Sequence, residues 1–245
     1  GGRLDARVDV RGNDEIAELA RAFNGMAEAL ERNENARRNM VSDVAHELRT
    51  PLTNIRGQIE AAQDGLVAAD AQFLESIAED TALLARLVDD LQQLSLADAG
   101  QLRLEREEAG LAAIVDRALS GLDTRGLRVT RDVPAELAVS VDVRRVVQVL
   151  RNLLVNAIAH AATAIDVRAI DRGDRIEIRV ADDGPGVPPE HAQRIFDRFY
   201  RADPSRSRTT GGAGLGLAIA KELVELHGGT IRYEKPAFIV TFIKS

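Results

Sequence analysis

The chain holds 245 residues, 45% of them apolar, with a formal net charge of −7 and no cysteine. That balance suits ordinary globular domains and excludes intrinsic disorder, a broadly basic nucleic-acid-binding surface, disulfides, thiolate metal sites and cysteine nucleophiles. Only three of its 32 basic residues are Lys (Lys221, Lys235 and Lys244), so a cation that meets a phosphate is expected to be Arg.

No apolar run approaches the roughly 18 residues of a membrane-spanning helix, and no signal peptide precedes the first element. The chain starts Gly-Gly-Arg rather than with Met, so it is expected to be a fragment of something longer, with two folded domains behind an N-terminal piece. Residues 13–59 are expected to be helical, with interruptions. Asn13 or Asp14 can cap the start, and Ile16, Leu19, Ala20, Phe23, Met26, Ala27 and Leu30 recur at three- and four-residue steps. After the polar stretch ERNENARRN the pattern resumes at Val41, Val44, Leu48, Pro51, Ile55 and Ile59, close to the heptad seam of supercoiled helices.

Within that second run lies VSDVAHELRTPLT, Val41 to Thr53. If Val44 and Leu48 face a core, His46, midway between them at about 100° per residue, faces solvent. An exposed helical His standing alone carries no function, but three neighbours change that. Glu47 can accept the ring proton and leave the other nitrogen as a nucleophile. Pro51 deprives the Glu47 carbonyl of its usual partner and should bend the helix there. The Thr50 hydroxyl, one turn on, can orient a water near the imidazole. The group reads as a phosphorylatable His at a helix hinge.

Gly65 and its small neighbours break the helix, and a second one is expected over about Asp70 to Ala97, carrying Leu74, Ile77, Leu84, Leu87, Leu91 and Leu94. Two antiparallel amphipathic helices leave their apolar stripes uncovered. Pairing two such hairpins into a four-helix bundle covers them, so a homodimer is the expected assembly.

Beyond Ala99-Gly100 the texture changes, which puts a boundary near residues 98–104. Strand-like runs (Leu127–Arg131, Ala138–Val141, Ala164–Ala169, Arg175–Ala181, Ile239–Ile243) alternate with helical ones (Leu111–Leu119, Val143–His160, Gly216–His227), the pattern of an α+β sandwich. Four pieces of this half suit a nucleotide. Asn152 and Asn156 lie four apart on one helix face and can hold a magnesium-bound phosphate, although in isolation two surface Asn are as good a reading. Asp182, at a strand end, can accept from an exocyclic amine such as that of adenine. Gly184 and Gly186 after it let backbone approach a flat ligand, or simply make a turn. Gly211, Gly212, Gly214 and Gly216 precede an amphipathic helix whose N-terminal N–H groups can meet phosphate oxygens; the spacing fits neither the Walker loop nor the dinucleotide fingerprint. Between them, IFDRFYRADPSRSRTT offers Phe196 and Phe199, read as packing residues, and a polar segment shaped for a lid.

In this order the pieces closely resemble the cytoplasmic part of a bacterial two-component sensor histidine kinase. HELRTPL (His46–Leu52) is similar to the family's phosphoacceptor box, Asn152 to Asn156 to its N box, and Asp182 to Gly186 to its first glycine box. FDRFYR resembles its F box and Gly212 to Gly216 its second glycine box. The first 30 residues resemble the second half of a HAMP linker. The resemblance implies a fold of a helical hairpin forming a dimeric four-helix bundle (residues 31–100), followed by an α/β sandwich ATP-binding domain (residues 101–245). It implies that His46 takes the γ-phosphoryl group of ATP and passes it to an aspartate of a response regulator, with partner specificity on the hairpin near and below His46. Glu47 is then the general base, and Thr50 serves the reverse, phosphatase reaction. Asn152 and Asn156 position Mg²⁺ and phosphates, with Asn156 the metal ligand. Asp182 binds the adenine amine, while Gly184, Gly186, Gly212, Gly214 and Gly216 shape pocket and lid. A membrane tether through upstream helices, on the cytoplasmic side of the cell membrane, is also implied.

The departures are Ala159, where many relatives carry a basic residue, a short HAATAID after the N box, and a C-terminus, YEKPAFIVTFIKS, without the usual Gly-rich turn. Arg206 or Arg208 can supply the missing phosphate contact. Two other readings stand beside the kinase: a dimeric scaffold that binds nucleotide without transferring phosphate, and an ATPase of the gyrase and heat-shock-chaperone type. The intact His46-Glu47 pair speaks against the first, and the His-bearing hairpin against the second.

Overall fold

The computed structural model describes residues 6–10, 12, 14–202 and 213–244. The chain divides into two compact units, up to Asp80 and from Thr81 onward.

The first unit is dominated by one helix, α1 (Glu15–Gln63), of 49 residues. Asp14 caps it, its carboxylate accepting from Ala17 N at 3.0 Å; Asn13, the other expected cap, lies outside the described residues. The expected interruptions are absent. ERNENARRN breaks the apolar pattern but consists largely of good helix formers, so amphipathicity lapses while helix propensity does not. Pro51 sits inside the helix and is buried. Much of the apolar stripe is bare: Ile16, Leu19, Met26 and Val41 are 75, 71, 67 and 65% exposed. Ahead of the helix, the Asn24 side chain pairs with both backbone groups of Val8, at 2.8 Å each. Gly65, in the left-handed region at φ 73°, turns the chain toward a second helix, α2 (Ala71–Asp98), completing the helical hairpin. Near this turn Gln58 donates to the Asp80 carboxylate at 3.5 Å.

The second unit holds the last turns of α2 and an α/β layer structure. In chain order come β1 (Glu107–Gly110), α3 (Leu111–Leu119), β2 (Arg128–Asp132), β3 (Ala138–Val141), α4 (Val143–His160), β4 (Ala164–Asp171), β5 (Arg175–Asp182), α5 (Gly216–Leu226), β6 (Thr230–Glu234) and β7 (Ala237–Ile243). Five strands make one sheet in the order β2-β4-β5-β7-β6, parallel only between β2 and β4; β1 and β3 form a separate antiparallel ladder. Strand alternation sends Ile165 and Val167 of β4, Ile176, Ile178 and Val180 of β5, and Phe238, Val240 and Phe242 of β7 into the core. Helices α3, α4 and α5 bury Ile114, Val146, Val149, Leu153, Leu223 and Val224, with α4 packed against both other helices and β5. Polar side chains of the sheet pair with neighbours on other strands or in the β4–β5 turn: Thr130 donates to Asp166 at 2.6 Å, and Glu177 takes Arg172 at 3.3 Å and Arg232 at 3.5 Å.

Strands β1 and β6 were not expected. EEAG has neither β-branched residues nor a period of two, and it is strand only because β3 supplies the ladder. Strand β6 is joined to β7 by Lys235-Pro236 alone, through a cis peptide, and this tight pair stands where a Gly-rich turn was looked for.

The ends of α4 and α5 are joined by His227. Its Nε2 accepts from Asp142 N at 3.1 Å, while Nδ1 donates to the Leu223 carbonyl at 2.6 Å. Asp142 caps α4 through Arg145 N at 3.1 Å, and its other oxygen accepts from Glu105 N, also at 3.1 Å. The ring is 4% exposed, and burial pushes its pKa below the ordinary imidazole value.

Candidate functional site

In the first unit, His46 is exposed, as the helical phase required. It borders a hollow of about 270 Å³ lined also by Arg49, Thr50, Thr53 and Asn54. Glu47 makes no hydrogen bond to the imidazole among the described residues, because successive helical side chains diverge by about 100°. The Thr50 hydroxyl turns back to its own helix and donates to the His46 carbonyl at 3.4 Å, the local bond that Thr makes when no other partner is in reach.

In the second unit, α4 carries the two amides. Asn152 Nδ2 donates to the Gly216 carbonyl at 2.8 Å, fastening the start of α5 to the middle of α4. Asn156, one turn on and half-buried, makes no side-chain hydrogen bond among the described residues, which leaves its oxygen and its amide for a ligand. Asp182 ends β5, 8% exposed, and its Oδ1 accepts from Gly184 N at 3.0 Å. Burial raises its pKa, against the lowering effects of that bond and of His160. A half-satisfied buried carboxyl is an acceptor waiting for a donor.

The glycines are where backbone closes in. A Cβ on Gly184 would strike the His160 carbonyl at the end of α4, so only glycine lets the β5 loop pass that helix. Gly214, at φ 72°, would put a Cβ 2.9 Å from the Phe199 carbonyl carbon. There Phe199 N donates to the Gly214 carbonyl at 3.0 Å, tying together the two ends of the intervening segment. Gly186 lies under Tyr233, whose hydroxyl accepts from Val187 N at 3.0 Å. At Gly216 a Cβ would meet only ordinary contacts with Asn152. Gly211, Gly212, Arg206 and Arg208 lie outside the described residues. Phe196 packs edge-on against Phe238 with ring centroids 6.2 Å apart, the packing role expected of it.

Three groups escaped the sequence reading. The Asp183 carboxylate collects the N–H groups of Ala162, Thr163 and Ala164 and the Thr163 hydroxyl. Arg198 grips Asp98 at the end of α2 through two bonds of 2.7 and 2.6 Å. Nearby on α2, Gln93 accepts from Gln148 of α4 at 2.8 Å. Each depends on backbone or side chains distant in sequence, so no local motif announces it.

The residues present suit an adenine nucleotide: a buried carboxyl short of donors, an unpaired amide on the neighbouring helix, and glycine backbone where a side chain cannot fit. They do not make a metal cage of their own. Among the described residues no group of three or more His, Cys, Asp or Glu could hold an ion.

Three family models match the chain. They are the HAMP domain over residues 1–32, the His Kinase A (phospho-acceptor) domain over 36–100, and the histidine kinase-, DNA gyrase B- and HSP90-like ATPase over 141–244. The signal transduction histidine-protein kinase BaeS of Escherichia coli is 36% identical over 236 residues, covering 94% of this chain and 50% of its own. The sensor histidine kinase MtrB of Mycobacterium tuberculosis is 39% identical over 246 residues, covering 94% and 43%. Among solved structures, the Acinetobacter baumannii histidine kinase AdeS superposes with a TM-score of 0.71 at 29% identity, covering 82% of this chain and 98% of that one. The chain thus spans about half the length of the curated relatives it matches.

Proposed function

We propose that this chain, which belongs to the two-component sensor histidine kinases, is the part of its protein that phosphorylates itself on His46 from ATP and hands the group to an aspartate of a response regulator. The observation that carries the reading is the pairing of an exposed His in HELRTPL with a separate unit in which a buried, under-satisfied Asp182 opens a loop whose Gly184 has no room for a side chain against the end of the Asn-bearing helix. The gyrase-type alternative has no place for a phospho-acceptor hairpin, and the scaffold alternative, which also binds nucleotide, leaves the exposed His46 beside Glu47 without a purpose.

In the reaction, an imidazole nitrogen of His46 attacks the γ-phosphorus, the N–P bond forms as the bond to the bridging oxygen breaks, and ADP leaves. Glu47 takes the ring proton, for which its side chain or that of His46 must turn from the conformation described above. Asp182 accepts from the adenine amine, and Gly184, Gly186, Gly214 and Gly216 let backbone close on the nucleotide, with Gly212 assigned to the same loop. Asn152 holds α5 in place, while Asn156 meets the phosphates. A bound Mg²⁺ would neutralise phosphate charge during transfer. Thr50 belongs to the reverse reaction, where its hydroxyl would leave the His46 carbonyl to orient water. The enzyme's contribution is positioning and charge neutralisation rather than covalent chemistry.

The bare apolar stripe of α1 supports a homodimer through residues 31–97, with residues 1–30 the HAMP portion and residues 101–245 the ATP-binding module. No helix among the described residues is long and apolar enough to cross a membrane. The tether is assigned to parts of the protein outside this chain, with these residues on the cytoplasmic face. Incubation with γ-labelled ATP and Mg²⁺ tests the reading. Wild type should take label that is lost in acid and stable in alkali, and His46→Gln should take none. Label persisting on His46→Gln would remove His46 from the reaction, and an unlabelled wild type that binds ATP would favour the scaffold.

A further inference from the structure

We propose that Asp183 is a positioning residue for the nucleotide site, fixing the short link between α4 and β4 and thereby the spacing between the Asn-bearing helix and Asp182. The inference rests on the nucleotide site described above and adds a residue to it. Asp182 and Asp183 are adjacent at the end of β5, and strand alternation turns one inward and the other outward. The inward carboxyl is nearly free for a ligand, whereas the outward one is saturated.

Asp183 Oδ1 accepts from Ala162 N, Thr163 N and Ala164 N at 2.9, 2.9 and 3.0 Å. Its Oδ2 accepts from the Thr163 hydroxyl at 2.5 Å and from Thr163 N at 3.1 Å. In return Asp183 N donates to the Ala164 carbonyl at 3.2 Å. Residues 161–163 are the whole connection between His160, the last residue of α4, and Ala164, the first of β4. A turn this short presents successive N–H groups to one point, and an anion there satisfies all of them together. On the other side of the link, the His160 carbonyl sits where a side chain on Gly184 would be. The end of α4 is therefore held between Asp183, which pulls on the link, and Gly184, which sets how closely it can approach.

These contacts hold the carboxyl of Asp183 far below the usual carboxylate range, the Thr163 hydroxyl contributing most. Asn156 lies one turn before His160 and Asp182 one residue before Asp183, so a relaxed link changes the distance between the two ligand contacts without touching either.

The test is equilibrium binding of a fluorescent ATP analogue, with Mg²⁺, to the full chain and its variants. Asp183→Ala should weaken binding about tenfold, the scale expected for losing charged hydrogen bonds that position a site. Asp183→Asn, which keeps an oxygen for the three N–H groups, should recover most of it. Labelling of His46 at saturating ATP should stay near wild type, so the loss falls on affinity rather than turnover. If Asp183→Ala does not fold, Thr163→Val, which removes one donor, carries the test with an expected loss of about threefold. An unchanged dissociation constant in the folded variant, with only the bound fraction reduced, would overturn the proposal by showing a purely structural role. Asp182→Asn separates the two failures. Lost binding there with unchanged binding in Asp183→Ala overturns the clamp alone, whereas unchanged binding in Asp182→Asn overturns the nucleotide site and the clamp with it.

Discussion

Replacing His227 by Phe should destabilise the ATP-binding unit at neutral pH and lose much of that effect on acidification. The substitution leaves the Asp142 N–H without the Nε2 acceptor it meets at 3.1 Å. Orphaning a buried donor costs about 1–3 kcal/mol. Crowding against Phe242, whose ring centroid lies 5.7 Å from that of His227, adds a part independent of pH. Wild type carries a second, pH-dependent part. Burial holds the native imidazole below its ordinary pKa of about 6.5, so as the pH falls through that value the unfolded chain takes up a proton that the native state refuses. The unfolded state then binds more protons, and wild-type stability falls with pH by up to about 1.4 kcal/mol per unit. Above that value the penalty is absent. The Phe variant has no such slope, so the gap between the proteins should be widest near about pH 8 and should narrow by up to about 1.4 kcal/mol for each unit below about 6.5. His46, His160 and His191, and the Arg106 and Asp142 charges near the ring, are common to both proteins. Urea unfolding followed by tyrosine fluorescence reads the unit directly, because the chain has no Trp and its two Tyr, Tyr200 and Tyr233, both lie in it. A gap that is constant between about pH 8 and 5, or that widens in acid, would refute the reasoning.

Gly184→Ala should lower stability by about 3 kcal/mol, since backbone faces the new methyl and has little room to move; thermal unfolding with and without ATP measures it, and a wild-type melting temperature would contradict the contact. Leu153→Ala, fully buried on α4, should cost about 2–5 kcal/mol in urea unfolding. Asp98→Ala should cost only about 0.5–1 kcal/mol despite its paired bonds to Arg198, because the aspartate side chain is 50% exposed. A double-mutant cycle with Arg198→Ala should show that coupling fade in high salt, and a salt-independent value would argue for packing instead.

Much of the second unit was legible because alternation and helical phase are local. Ala138–Val141 and Leu111–Leu119 could be read to the residue, and Val143–His160 announced its Asn face. Where pairing decides structure, local pattern fails: EEAG is a strand by virtue of β3, and Thr230–Glu234 by virtue of β7. The site divides the same way. Asp182 and the glycines stand out in sequence because their residue types are chemically special, whereas Asp183 looks like a repeat of its neighbour and is distinguished only by donors some 20 residues earlier. Glu47 stands out by its adjacency to His46, yet adjacent side chains on a helix diverge, so a contact between the two is a matter of side-chain rotation that local sequence does not fix.

Pro51 gives α1 a property that its continuous outline conceals. With no amide hydrogen to offer, it leaves the Glu47 carbonyl outside the ladder, and Thr50 spends its hydroxyl on the carbonyl of His46. Along 49 residues of helix, this is where the backbone can open first. Amide protons around residues 47–54 should therefore exchange through a local fluctuation well before the flanking turns do. His46 thus sits at the edge of a built-in soft joint, where one turn can be reshaped without unwinding the rod.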